Sequence, residues 1–559
     1  MNNANALLST PKVQWGLLVL LCLFTFFINN RYIEPDIMEA RNFITAREIL
    51  ENDTWLIPTL NGEFRLAKPP LPTWITALAG YVVGDIYNKS ALRFPAAIMA
   101  TLMVFFLYGF TKTLTDDPFV PFLAAVILAT SFYVVFMGRQ GSWDIYCHSF
   151  MLGGILMFSR GWNKESNAYK EFLIGGGLMG LSFMSKGPVA FYALLLPFLL
   201  SYIYAFGIHK IKAKWKPLCW ALLVCIIISS WWPLYVYVNV SSDLMQTVDT
   251  ETMAWSNRSV KPFWHYWSFP VQSGVWTVFI TAALIVPYAR KKIRSVGGNY
   301  QFLFIWVAVT IILLSLIPEK KERYLMPALI SMALLTAYYV RYLIGAYFQK
   351  NNTKADVFIV VLLSIAISIL CLAAPYFLFR FGYAKALLSL GTTMICSAFL
   401  GGSGIIFIRY AFKKNIASIV GAAVILAAFV SALTPYILDH IFYHDQHRYR
   451  NLNHIRSNPI IDDFPVYSIG EMRPEEIWDV GRVVPPLSHL DTCFVLNQLP
   501  AVVLSPEYHD STVFNLCMHP PLLIDTLETF RHRTRRTRKE QFNWHLYLLK
   551  SDPTALQGR

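Results

Sequence analysis

A chain of 559 residues that is 55% hydrophobic and only 15% charged cannot hide its apolar surface as a soluble protein would, where about one-quarter charged is usual. Its formal charge of +14 would suit a nucleic-acid binder, but Lys and Arg gathered in cytoplasmic loops and near anionic lipid explain it better. The eight Cys contain no C-x-x-C metal or redox pair, and only Cys493 and Cys517 fall in polar sequence, where an extracytoplasmic disulfide between them is one option.

The first apolar run, 15–29, has no small-residue cleavage site behind it and reads as a retained span. A helix needs roughly 20 apolar residues to cross a bilayer. Segments approaching that measure lie at 13–29, 91–111, 119–138, 145–162, 171–186, 188–207, 217–239, 267–289, 301–318, 325–348, 357–379, 386–408 and 416–438. The expected fold is therefore an all-α polytopic membrane protein with about thirteen spans. The stretch 71–84 is apolar but too short, and reads as an interfacial or re-entrant helix. Basic residues arbitrate its placement. If it does not span, the clusters Arg160/Lys164/Lys170, Lys210/Lys212/Lys214/Lys216, Arg290/Lys291/Lys292/Arg294, Arg341/Lys350/Lys354 and Arg409/Lys413/Lys414 all become cytoplasmic.

This topology makes 1–439 a transmembrane domain whose long first outer loop covers about 30–90, and puts the polar tail 440–559 outside. In that tail 464–470, 493–497, 501–505 and 542–550 read as strands, and 473–480 reads as a helix opening with Pro. A small α/β domain is expected there. It also carries a basic cluster of Arg531, Arg533, Arg535, Arg536, Arg538 and Lys539, by default a solvated face, with an outer-leaflet anionic lipid or an acidic acceptor as the sharper option.

Lys68, Lys186, Lys320, Lys321 and Arg323 stand where the loop bias disfavours them, and need another reason to be there. Glu34, Asp36 and Glu39 crowd the start of the first outer loop. Carboxylates in that setting can orient or deprotonate an acceptor, or simply be solvated. Asp144 sits at the outer end of a span, as a cap or a functional acid. Lys186 closes an apolar helix before Gly187-Pro188. The loop Glu319-Lys320-Lys321-Glu322-Arg323-Tyr324 either neutralises itself or offers cations to a lipid phosphate. His265, flanked by aromatics, reads as an interfacial belt residue more readily than as a metal ligand.

Taken in order, Glu39-Ala40-Arg41, Ala46-Arg47-Glu48, the 55–62 run, Lys68-Pro69-Pro70, Asp144, Ser185-Lys186-Gly187-Pro188, Lys261-Pro262-Phe263-Trp264 with Tyr266, and Arg323-Tyr324-Leu325-Met326-Pro327 form a recognisable series. It resembles the bacterial aminoarabinose–lipid A transferases (ArnT) and the wider protein O-mannosyltransferase-like group with the GT-C fold. The resemblance implies an undecaprenyl-phosphate sugar donor and transfer with inversion to a lipid or glycan acceptor such as lipid A, on the periplasmic face of the inner membrane, by a monomer. A protein acceptor is the alternative, and a lipid-linked sugar transporter a third reading. Absence of an internal repeat and the surface position of the unusual charges disfavour the transporter.

Carried over, Glu39 and Asp144 are the acidic residues, Lys68 and Tyr324 hold phosphate, and Arg258 matches more loosely. Lys186, Lys320, Lys321 and Arg323 join them on the strength of their position at the membrane surface. The chain departs from the family where Met38 replaces the usual Asp of the first loop. Asp36, two residues earlier, is a candidate substitute, since positions 36 and 39 of a helix share a face. It departs again at Ala67, where the family's Glu joins a His in binding zinc. That His is also missing around Arg258, so no zinc and no firm cofactor is expected, although a divalent metal stays open.

Overall fold

The computed structural model describes residues 9–165, 167–442, 452–459, 461, 464–487, 499–506, 522–532 and 542–551. The chain divides into two compact units, one formed by 1–33 with 66–438 and the other by 34–65 with 439–559.

The first unit is helical, and each of the thirteen apolar segments forms helix. Among the described residues six helices are long and apolar enough to cross a membrane, or up to eight spans if each of two bent pairs counts as one. The others are shorter or more polar. Trp143–Trp162, for example, buries Asp144, His148 and Ser149. The bends have local causes. Phe119–Ala129 and Phe132–Gly138 meet at 65°, where Thr130 and Ser131 turn their hydroxyls back onto the Val126 and Ile127 carbonyls at 2.7 Å each. Phe263–Leu284 and Val286–Arg294 meet at 94°, and Pro287 opens the second helix, which carries the basic set Arg290 to Arg294. The stretch read as too short to span is a helix, Leu71–Val83, of 13 residues, or about 20 Å against a hydrocarbon core of about 30 Å.

A buried arginine fixes the end of the first helix. The helix Pro11–Cys22 runs on as a π turn, Leu23–Phe27. Its last carbonyls lack helical partners. Arg139 supplies them, donating to Phe24, Thr25 and Ile28 at 2.9, 2.6 and 2.7 Å. Arg93 donates to the Asn30 carbonyl nearby. The packed interior of this unit draws on almost every helix, from Leu18 and Phe26 to Ile419 and Ala423.

The second unit joins the first-loop segment 34–65 to the C-terminal region. Helix Ile37–Asn52 begins at Asp36, whose carboxylate accepts from the Met38 and Glu39 amides at 3.0 Å each. Strands Thr59–Leu60 and Glu63–Phe64 pair through Asn61-Gly62, both with positive φ (57° and 84°), the two-residue turn whose twist suits a hairpin. Buried Glu48 holds this turn: its carboxylate accepts from Thr59 Oγ1 at 2.6 Å, the Asn61 amide at 2.7 Å and the Gly62 amide at 3.2 Å. Asn61 pairs with the Val484 backbone in both directions, at 2.8 and 2.7 Å, and Phe43 lies against Trp478 with ring centroids 5.2 Å apart. These contacts explain why 34–65 groups with the tail.

The tail builds a four-stranded sheet in the order Val466–Ser468, Ala501–Pro506, Phe542–Ser551, Leu522–His532, with the first pair parallel and the others antiparallel. Tyr467, Ile469, Ala501, Val503, Tyr547 and Leu549 form its core. Three expected strands and the helix Pro474–Val480 are present. Strand Leu522–His532 was not anticipated, because Asp525, Glu528 and Arg531 break its apolar pattern. The expected strand 493–497, both Cys493 and Cys517, and Arg533 to Lys539 lie outside the described residues.

Burial lifts the Glu476 carboxyl to about 7, above its ordinary value, while its side chain accepts from the Arg473 amide at 2.8 Å. A carboxyl raised on folding binds more protons folded than unfolded between its ordinary value and 7. The stability of this unit should therefore fall as pH rises from about 4.5 to about 7. Thermal melting across that window should show the decline, and Glu476→Gln should flatten it.

Candidate active site

In the first unit the structure brings six of the expected residues into one connected cluster. Asp144 stands in the first turn of Trp143–Trp162, where a helix N-terminus favours an anion. Lys186 is the last residue of Tyr169–Lys186, and Gly187 breaks that helix with φ +68°, a conformation open to glycine. The two breaks bring the side chains together as a buried ion pair, Asp144 1% and Lys186 7% exposed. The Lys186 ammonium also lies over the Tyr324 ring at 5.5 Å, and the Arg323 guanidinium over the same ring at 5.7 Å.

From Tyr324 the cluster continues to Glu319. The tyrosine hydroxyl donates to Glu319 Oε2 at 3.0 Å, Arg258 Nε donates to Oε1 at 3.0 Å, and Lys321 pairs with the same oxygen. Burial opposes ionisation of Glu319, but the bonds from Lys321, Arg258 and Tyr324 outweigh it and hold the carboxyl below its usual range. Burial lowers the Lys321 ammonium, and the neighbouring Arg323 and Arg258 charges add to the effect against the pull of Glu319. Tyr266 secures the loop: its hydroxyl donates to the Lys321 carbonyl at 3.1 Å and accepts from the Lys321 amide at 3.2 Å. His265 and Gln272 reach Glu322, at 3.3 and 2.9 Å.

Other expected residues fall elsewhere. Lys320 donates to the Lys261 and Ile317 carbonyls at 3.1 and 2.6 Å, so its ammonium braces the loop rather than facing the cluster. Lys68 is half-buried just before the helix Leu71–Val83. Asp36 and Glu39 belong to the second unit. The expectation that they share a helical face is corrected, since Asp36 is the N-cap, outside the helix, with one carboxylate oxygen committed to Met38 and Glu39 amides. Glu39 is fully buried in the first turn.

Two residues were not singled out by the sequence. Glu319 was read only as one sign in a mixed loop, yet it is the point on which three donors converge. His148 stands one turn after Asp144 on the same helix face, and both are about 99% buried. Among the described residues Asp144 Oδ2 and His148 Nδ1 have no hydrogen-bond partner. An Asp and a His at i, i+4 in a largely apolar segment were the available signal. For zinc, the residues do not fit. Ala67 cannot ligate, and among the described residues no three of His, Cys, Asp and Glu come together as ligands.

The fold of this chain, a helical unit together with a sheet-bearing unit, is one found among solved structures. It superposes on the crystal structure of ArnT from Cupriavidus metallidurans bound to undecaprenyl phosphate with a TM-score of 0.69, covering 96% of this chain and 98% of that one at 13% identity. At that identity the likeness shows the fold. In sequence, residues 67–233 match the family model for dolichyl-phosphate-mannose-protein mannosyltransferase, a stretch that includes Lys68, Asp144 and Lys186. The chain is 26% identical over 356 residues to the undecaprenyl phosphate-alpha-4-amino-4-deoxy-L-arabinose arabinosyl transferase of Edwardsiella ictaluri, covering 61% of this chain and 62% of that one. It is 25% identical over 330 residues to the protein of that name from Pectobacterium atrosepticum, covering 57% of each. The chain thus spans less than two thirds of the length of these curated relatives. The ArnT-like resemblance read from the motifs holds in both sequence and fold.

Proposed function

We propose that this multi-pass membrane protein is a glycosyltransferase that moves a sugar from an undecaprenyl-phosphate donor to a glycolipid or glycan acceptor such as lipid A. The reading places it in the bacterial inner membrane, with thirteen spans, a transmembrane domain over 1–439, an outer domain over 440–559, and chemistry on the periplasmic face. The observation that carries it is the set of Lys186, Arg258, Lys321, Arg323 and Tyr324, gathered around two buried carboxylates in a fold shared with an undecaprenyl-phosphate-bound structure.

In this mechanism the acceptor oxygen attacks the anomeric carbon while the bond to the phosphate oxygen breaks, inverting the centre. The leaving phosphate gains negative charge. Fixed cations in a water-poor setting stabilise that charge far better than they would in water. Lys186, Arg258, Lys321, Arg323 and Tyr324 hold the phosphate, with Lys68 alongside them in that role. Asp144 orients Lys186, and its second carboxylate oxygen remains for a substrate hydroxyl. Glu39 is the acidic residue that takes the acceptor proton. The donor's lipid tail stays in the bilayer, and the protein acts as a monomer.

Mass spectrometry of lipids and surface glycans from cells with and without this gene tests the reading. One glycolipid should lose a sugar-sized mass when the gene is removed, and unchanged profiles would reject it. The family model's own name favours a second reading with a protein acceptor. A glycoprotein lost in the same cells, with all glycolipids unchanged, would select it. The topology has its own check. A reporter active only outside the cytoplasm, fused after Arg559, should give signal, and a silent one overturns the thirteen-span count.

A further inference from the structure

We propose that Glu319 is a built-in competitor for the donor's phosphate, which engages the same side chains that hold the phosphate and returns to displace the product. The inference rests on the donor reading above. Its starting point is a count of protons. A tyrosine hydroxyl has one proton to donate, and an arginine Nε has one. In the structure both are given to Glu319, from Tyr324 and Arg258 at 3.0 Å each, and Lys321 pairs with it as well. A phosphate that is to use the Tyr324 hydroxyl and the Arg258 Nε must take those protons from this carboxylate. Glu319 is 3% exposed, so bulk water cannot replace what it loses, and its own charge opposes an incoming anion.

Competition of this kind has a use at the end of the reaction. The sugar donor is a phosphodiester with one negative charge. The product is a phosphomonoester that approaches two negative charges near pH 7. A site built only of cations would therefore hold product more tightly than substrate, and release would slow turnover. A carboxylate poised to reclaim three donors reduces that retention. Tyr266, bonded to both the amide and the carbonyl of Lys321, keeps the loop in place while the side chains change partners.

The test is equilibrium binding of farnesyl phosphate, a short and soluble product analogue, to the full-length protein in detergent. Glu319→Gln keeps the side-chain shape and removes the charge. It should bind farnesyl phosphate at least about tenfold more tightly than wild type, of the order of one charge-assisted hydrogen bond no longer contested, and should show stronger product inhibition. Glu319→Asp draws the carboxylate back by one methylene and keeps its charge. It should fall between the two, and it serves if the Gln variant does not fold. Equal or weaker binding by a folded Glu319 variant overturns the inference and leaves Glu319 as a simple brace. If neither wild type nor variant binds farnesyl phosphate, the donor reading itself falls, and this inference with it.

Discussion

Lys186→Met is expected to lower sugar transfer by about 10²–10³-fold, the loss typical of one preorganised charge-stabilising donor. It is also expected to destabilise the folded protein by about 3–5 kcal/mol, because removing one partner of a buried pair strands the other charge. Asp144, 1% exposed, would be that stranded charge. The two effects can be separated. Replacing both partners, Asp144→Leu with Lys186→Met, leaves no stranded charge and should restore most of the thermal stability. Transfer should stay low, because the phosphate contact is still missing. Recovery of both together would make the pair a packing device with no part in the chemistry. In the proposed topology the pair has weight beyond stability: a lysine at an outer helix end would run against the charge bias of the loops, and the polar pair would be costly at a membrane boundary.

Glu39→Gln should lower turnover by at least about 10²-fold, the lower end for a general base. Asp36→Asn should stay within a few-fold of wild type. Both were equal candidates in the sequence, and the structure separates them. Asp36 accepts from the Met38 and Glu39 amides, and Asn caps a helix about as well as Asp. Asp36→Ala removes the cap and should cost about 1 kcal/mol, a stability effect rather than a chemical one. Glu39 is fully buried in the first turn, so its carboxylate is not a solvated surface group. Turnover by purified variants, each normalised to folded protein, checks the pair. A large loss in Asp36→Asn with little in Glu39→Gln would reverse the assignment.

Much of this was legible because it depends on patterns a sequence displays openly. Apolar length located the helices, and the bias of Lys and Arg kept 71–84 from being counted as a span. Asp144 and Lys186 stood out as charged groups that needed a reason, and Tyr324 came from the family resemblance. What stayed hidden depends on who meets whom. Nothing in the order Glu-Lys-Lys-Glu-Arg-Tyr says that Glu319 gathers Arg258 and Tyr324 while Lys320 turns to the Lys261 and Ile317 carbonyls. Asp36 and Glu39 looked equivalent until the helix was seen to start between them. The hairpin at Asn61-Gly62 carried a strong local signal. Its partners Glu48 and Val484 did not, because one lies a helix away and the other more than 400 residues on.

The central claim is that this chain breaks the bond between a sugar and a polyprenyl phosphate. The most direct measurement uses the purified full-length protein in detergent, a polyprenyl-phosphate sugar pool extracted from bacterial membranes, and lipid A. Mass spectrometry then follows free polyprenyl phosphate and sugar-bearing lipid A together. Wild type should release one polyprenyl phosphate for each sugar transferred, and Lys186→Met should leave the donor almost untouched over the same time. Intact donor after incubation with wild type, or equal release by wild type and Lys186→Met, would contradict the account.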